Sequence, residues 1–400
     1  MTKRSLIRPA PMRDFDVTER RSTWLELFFD LCFAAAIATL ADGLHSDPTL
    51  RGLLPFAGLF VVVWWAWTEF TWFSTAWDND DLLHRLGTFT AMLLVIVLAA
   101  TIPRVYQGND QVFVLTYVGM HVLLLAMFVR VRRHAGPAHR FVVTSVAGIA
   151  IGALIMGGSM WVDAPLRYWV WAIAVIELMV TPVLAVRSFD GESFDSSHLP
   201  ERYGLFTIIV LGESVVTVGV GLGEVKLDGG AVASAVLGFG IAAAIWWSYF
   251  ETVSSSSLSR ERVWASFVWG YGHLFGFAGI AATAVGVDLA IEAGARADHG
   301  LSLAARLMLC AGSAAFLLSL VAVHAAEIGW RGAGMVQRWA AIGALLALSF
   351  LAQGWQPAFV VGAVFVMLVI TVSFDVVNVG GQGLATDHLP DEERPPPKEP

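Results

Sequence analysis

Apolar residues in this chain arrive in runs of about 20, separated by short polar stretches, and this spacing constrains the fold more than any other feature. At 1.5 Å of rise per residue, a helical run of that length crosses the roughly 30 Å hydrocarbon core of a bilayer. Twelve runs can be marked, at about 24–42, 52–74, 82–102, 111–131, 139–158, 165–187, 201–222, 230–250, 263–290, 301–326, 336–353 and 356–377. Only Gln353, Gly354, Trp355, Gln356 and Pro357 divide the last two; a single span across both would be too long for any bilayer, so a tight turn is expected there. The expected fold class is an all-α integral membrane protein with twelve transmembrane helices.

Composition points the same way. Charged residues make up 14% of the 400 residues and hydrophobic ones 56%, against about 25% charged in a soluble protein. Much of the net charge of −8 sits in tails and loops, and no basic stripe suggests a nucleic-acid partner. Cys32 and Cys310 lie inside apolar runs, where a thiol behaves as a small hydrophobe, so neither a disulfide framework nor a zinc site is expected. The chain lacks a Walker motif, a GxGxxG after a strand, HExxH and CxxC, and GES at 212–214 is not a nucleophile elbow. No cofactor is expected, and nucleotide hydrolysis, dinucleotide binding and the common metal and thiol chemistries have no support.

Positive residues stay on the cytoplasmic side during insertion. With the N-terminus inside, 18 Lys and Arg fall on inner segments and six on outer ones, Arg85 being set aside within the third run. Both termini are therefore expected in the cytoplasm. Residues 1–23 form a polar N-tail with six cations and no cleavage site after the first apolar run, unlike a cleaved signal peptide. Residues 378–400, rich in Pro, Gly and charge, are expected to be a disordered cytoplasmic C-tail. Arg outnumbers Lys by 22 to 3, as in a GC-rich bacterial genome, and the expected location is a bacterial inner membrane.

An offset of 182 residues superposes WWAWTEFT from Trp64 on WWSYFETV from Trp246, bringing Glu69 onto Glu251. The expected organisation is two six-helix halves, 24–187 and 201–377. An even number of helices per unit gives parallel repeats about an axis along the membrane normal.

Three segments carry a family resemblance: WLELFFDLCFAAAIATL from Trp24, TEFTWFSTAWDNDDLLHRL from Thr68, and LPERYGLFTIIVLGESVVTVG from Leu199. In order and over residues 20–377 the chain resembles the bacterial low temperature requirement protein A family. The resemblance implies a multi-pass bacterial membrane protein; the family is named for a cold-growth phenotype, and the name supplies no mechanism. It singles out Glu26, Asp30, Glu69, Asp78, Asp80, Arg85, Glu201, Arg202, Tyr203, Gly204, Gly212 and Glu213. FFD followed by AAAIATL is also similar to the Phe-Ser-Asp signature of a lysosomal and bacterial potassium-channel family, with Phe29 in place of Ser and Arg21 at a different spacing, a hint toward ion conduction.

An ionised side chain at the bilayer centre costs about 2.5–3.5 kcal/mol, so each needs a partner, a wet cavity or a proton. Sorted by depth, the charges fall in two layers. Glu26, Asp30, Glu69, His84, Arg85, Arg202 and Glu251 lie near the cytoplasmic edge as an ion-pair layer or gate, with Arg85 the expected cation between Glu26 and Asp30. Glu213, Glu177, His273 and His121 lie near the midplane, where no Lys or Arg is available, as a proton or cation site. Gly212, Gly219, Gly221 and Gly223 suggest that the seventh helix loosens beside Glu213. The expected function is a secondary transporter or ion-translocating protein, with the lipid bilayer, protons or monovalent cations, and a second copy of the chain as candidate partners. The alternatives are an intramembrane lipid-acting enzyme holding a divalent ion at Asp78, Asp80 or Asp81 with His84, and a structural or sensory role.

Overall fold

In hydrocarbon a backbone polar group finds no water, so an apolar run satisfies its amides and carbonyls within its own segment and becomes a helix. The computed structural model describes residues 23–77, 81–189, 199–253, 263–296, 300–327, 329–330 and 332–387, with backbone alone at 263 and 378–387. All twelve runs are helices: α1 (Trp24–Ser46), α2 (Leu50–Ala76), α3 (Leu82–Tyr106), α4 (Gln111–Arg132), α5 (His139–Gly158), α6 (Leu166–Arg187), α7 (Leu199–Glu224), α8 (Gly229–Val253), α9 (Val263–Ala295), α10 (Leu303–Glu327), α11 (Ala333–Leu351) and α12 (Pro357–Asp387). Twelve are long and apolar enough to span a membrane, and no strand occurs among the described residues. The chain is an all-α, multi-pass membrane protein.

Local chemistry sets the helix ends. Thr23 and Glu26 form a reciprocal cap on α1: the Glu26 amide donates to Thr23 Oγ1 at 3.2 Å, and the Thr23 amide donates to the Glu26 carboxylate at 2.7 Å. Thr49 and Asp81 cap α2 and α3. The turn expected between the last two helices forms with Gly354 at φ +78°, a left-handed conformation that a side chain disfavours. The twelfth helix continues ten residues beyond the expected 377, to Asp387. Of the expected tails, 1–22 and 388–400 lie outside the described residues.

Twelve successive spans alternate in direction. The starts of odd-numbered helices and the ends of even-numbered ones therefore share one face, the first face below; the opposite ends make the second face. At the centre, α9 packs against α10, α7, α8, α1 and α12. Small residues bring α9 and α10 close: a Cβ on Gly279 would stand 2.5 Å from the Gly312 carbonyl oxygen, and one on Gly286 2.5 Å from the Leu309 nitrogen. The pairs α1–α3, α4–α5 and α5–α6 in the first half have counterparts α7–α9, α10–α11 and α11–α12 in the second, while α1 crosses to α7 and α9. Around the rim, exposed Leu93, Leu154, Trp169, Phe239 and Phe359 form the surface that faces lipid.

Candidate functional site: a buried carboxylate–imidazole cluster between two cavities

The first-face layer is a set of ion pairs joining distant helices. Arg202, in the first turn of α7, grips Asp30 with two nitrogens, Nη2 at 2.6 Å and Nε at 3.2 Å, and reaches Glu26 through Nη1 at 3.0 Å. Trp67 Nε1 on α2 donates to Asp30 Oδ1 at 2.8 Å. The cation between Glu26 and Asp30 is thus Arg202 rather than the expected Arg85, which lies on an exposed face of α3. Sequence separation hid this, because 172 residues part Arg202 from Asp30.

Two more pairs reinforce the face. Arg130 on α4 pairs with Asp81, and Arg338 on α11 donates to Asp375 at 3.1 Å and to Thr252 Oγ1 at 3.0 Å. Glu251 is half-buried and within electrostatic range of Asp375. Neither Asp375 nor the Arg338 pairing stood out in the sequence, although an acid inside the twelfth apolar run was a signal for it. Among the metal candidates, Asp78 and Asp80 lie outside the described residues. Asp81 is buried, caps α3 by accepting the His84 amide at 2.9 Å, and holds Arg130, so it serves the fold.

Deeper in the first half, the structure joins the two expected layers. Glu69 on α2, placed near the edge by sequence, meets His121 on α4, placed at the midplane: Oε2 and Nε2 are 2.9 Å apart and both side chains are buried. His121 Nδ1 lies 2.8 Å from the Tyr117 carbonyl oxygen. A carbonyl only accepts, so Nδ1 carries a hydrogen, while Nε2 faces Glu69 Oε2 off the line of a hydrogen bond.

Glu177 on α6 is the third member, within electrostatic range of both Glu69 and His121. Thr181 Oγ1 donates to Glu177 Oε1 at 3.0 Å, while buried Oε2 has no hydrogen-bond partner. Gly152 on α5 makes room for it, since a Cβ there would approach Oε2 to 2.7 Å. Nearby, the buried Tyr117 hydroxyl and the indole nitrogens of Trp64 and Trp65 also have no hydrogen-bond partner. Such groups are costly in an apolar interior unless something polar meets them.

Two cavities flank the cluster. One, of about 610 Å³, lies between α2 and α6 on the second-face side and runs from Asp47 and Leu54 to Val62 and Met179. The other, of about 270 Å³, lies among α2, α3 and α4 on the first-face side, against Phe73, Trp77, His84, Met127 and Arg130. Along α2, Glu69 falls between Val62 and Phe73. Trp64, Trp65 and Trp72 gather around Tyr271 of α9 with ring centroids 5.6–6.4 Å apart, and the Tyr271 hydroxyl donates to the Met179 carbonyl at 2.6 Å. Along α2, Trp64 and Trp65 lie between Val62 of the larger cavity and Glu69.

The other expected midplane residues lie elsewhere. His273 accepts or donates one bond with the Tyr249 hydroxyl at 3.1 Å and holds the Trp269 carbonyl through Nδ1 at 2.7 Å, inside a ring of Tyr203, Trp269 and Phe277. Both its nitrogens are engaged. Glu213 is half-buried on α7, and its charged neighbour is Asp42 of α1, away from Glu177. The expected loosening beside it is not present: α7 is one uninterrupted helix from Leu199 to Glu224, with Gly212, Gly219 and Gly223 facing open space.

Fold and site together define a multi-pass α-helical membrane protein with an ion-paired face and a buried carboxylate–imidazole cluster. Residues 21–374 match the family described as bacterial low temperature requirement A protein (LtrA), and the chain belongs to that family. It is also 28% identical over 297 residues to an uncharacterized protein, RA0937, of Rhizobium meliloti (strain 1021), with 70% of this chain and 72% of that protein covered.

Proposed function

We propose that this protein translocates protons across a bacterial inner membrane through Glu69, His121 and Glu177. The observation that carries this reading is the buried Glu69–His121 pair, 2.9 Å apart, at a height on α2 between the linings of two cavities. In this mechanism a proton passing between Glu69 and His121, as imidazolium with carboxylate or as imidazole with carboxylic acid, keeps the pair neutral and avoids the cost of a bare charge in hydrocarbon. Glu177, with one unpartnered carboxylate oxygen, is the next acceptor or donor toward the larger cavity. Trp64, Trp65 and Tyr271 are the barrier on that side, and the Glu26–Asp30–Arg202 layer secures the first face. Both termini belong on the cytoplasmic side in this reading, as the Lys and Arg distribution favours. The matching helix pairs in the two halves support their derivation from parallel six-helix repeats. The repeat is imperfect: Trp64 and Trp65 are buried, whereas Trp246 and Trp247 are 50% and 52% exposed.

The test is proton flux in liposomes holding purified protein and a pH-sensitive dye, driven by an imposed pH gradient with valinomycin and K+ to dissipate charge. Wild type should acidify the lumen, and Glu69→Gln and Glu177→Gln should each lower that rate by about a hundredfold or more, the range in which a positioned proton-transfer group acts. Wild-type rates in both variants would remove the cluster from the mechanism.

A further inference from the structure

A second titratable cluster lies at the other end of the bundle, and the proposed proton path does not use it. His45 is in the last turn of α1, and Asp288 and Glu292 stand one turn apart on α9. His45 Nε2 is 3.2 Å from Asp288 Oδ2 and 3.1 Å from Glu292 Oε1, and one ligand atom from each residue lies within 4.8 Å of the others. Asp42 and Glu224 are within electrostatic range of Asp288. Among the described residues, Arg296 pairs here by distance, 3.0 Å from the other Glu292 oxygen and largely exposed. Carboxylates one turn apart on a helix repel unless a positive charge lies between them.

We propose that His45, Asp288 and Glu292 bind a divalent first-row transition-metal ion such as Zn2+ at the second face. One imidazole with two carboxylates is a donor set suited to such ions. Ligands 2.0–2.2 Å from a tetrahedral ion stand about 3.3–3.5 Å from one another, and the two His45–carboxylate separations are already close to that. The cradle is preformed as well: Asp288 Oδ1 rests against Gly221 of α7, is buried and has no hydrogen-bond donor, so the carboxylate is held with Oδ2 toward His45. Three helices meet at this point, α1 from the first half and α7 and α9 from the second. A bound ion would staple the two halves together at this face.

The rival occupant of the space is a proton on His45, which would make the cluster a plain salt bridge. Titration of full-length, chelator-treated protein in detergent with Co2+, read by visible absorption, and competition with Zn2+ separate the two. One saturable site per chain is expected, with Zn2+ displacing Co2+ and raising the unfolding midpoint. Affinity should fall at least about tenfold in His45→Ala and in Glu292→Gln, since losing a ligand costs no less than losing one of its outer-shell partners. It should be unchanged in His139→Ala, whose imidazole lies at the first face. Glu292 and His45 are each about a third exposed, so these variants should elute as folded protein. Absence of saturable binding, or binding that ignores both substitutions, would overturn the proposal; so would a site that prefers Mg2+ and is indifferent to His45, which would mark a diffuse acidic surface.

Discussion

Asp30 is a carboxylate with no exposed surface, and Arg202 makes that position tolerable by donating two bonds to it while a third nitrogen holds Glu26. Removing one partner of such a pair is far more damaging than never having had it, because an uncompensated charge stays behind. Arg202→Ala should cost about 3–5 kcal/mol, and adding Asp30→Asn to it should recover a large part. Unfolding midpoints of the detergent-solubilised protein check this: a clear fall for the single variant and partial return for the double one are expected, whereas an unchanged midpoint for Arg202→Ala would mean that Asp30 is not held as a charge. At this scale the sequence drew attention to Glu26, Asp30 and Arg202 because charges in apolar runs are conspicuous, and the three form ion pairs in the fold. It misassigned the partner because an apolar helix carries little record of which neighbour each face meets.

The helix pair α9–α10 depends on the absence of side chains. Gly279 and Gly286 bring the α9 backbone against Gly312 and Leu309 of α10, and a Cβ at either glycine would lie 2.5 Å from a backbone atom that cannot swing aside. Gly286→Val should therefore force the central helices apart and lower the unfolding midpoint markedly, while Gly212→Ala, at a position with nothing within 4 Å, should leave it near wild type. Equal effects from the two substitutions would contradict this packing. All twelve helices were legible, since a run of about 20 apolar residues can do little else in a bilayer. The pairing of those helices was not. Glycine spacing such as GIAIG from Gly148 says that a face is closely packed, but only the structure shows Thr181, Leu178 and Glu177 of α6 filling it. Four glycines in and after Gly212 also suggested a loosened α7, yet three of them face open space and the helix runs on unbroken.

At the scale of the whole molecule, the bundle places its charges in compartments that depth along a helix did not reveal. Glu69 and His121, assigned to separate layers by counting residues from helix ends, form one pair, because α2 is 27 residues long and does not share the register of α4. Glu177 joins them, while His273 and Glu213 stand apart among aromatics and beside Asp42. Cavities of about 610 and 270 Å³ are lined by α2 residues before and after Glu69, and a route between them exists only if a proton can cross Glu69 and His121 themselves. That crossing is the central claim, and infrared difference spectroscopy of the reconstituted protein after a pH jump tests it most directly. A carboxylic-acid band should change in wild type, alter or vanish in Glu69→Gln, and shift in His121→Gln, where the shared proton has lost its partner. A spectrum with the same carboxyl changes in all three proteins would show that neither residue handles the proton.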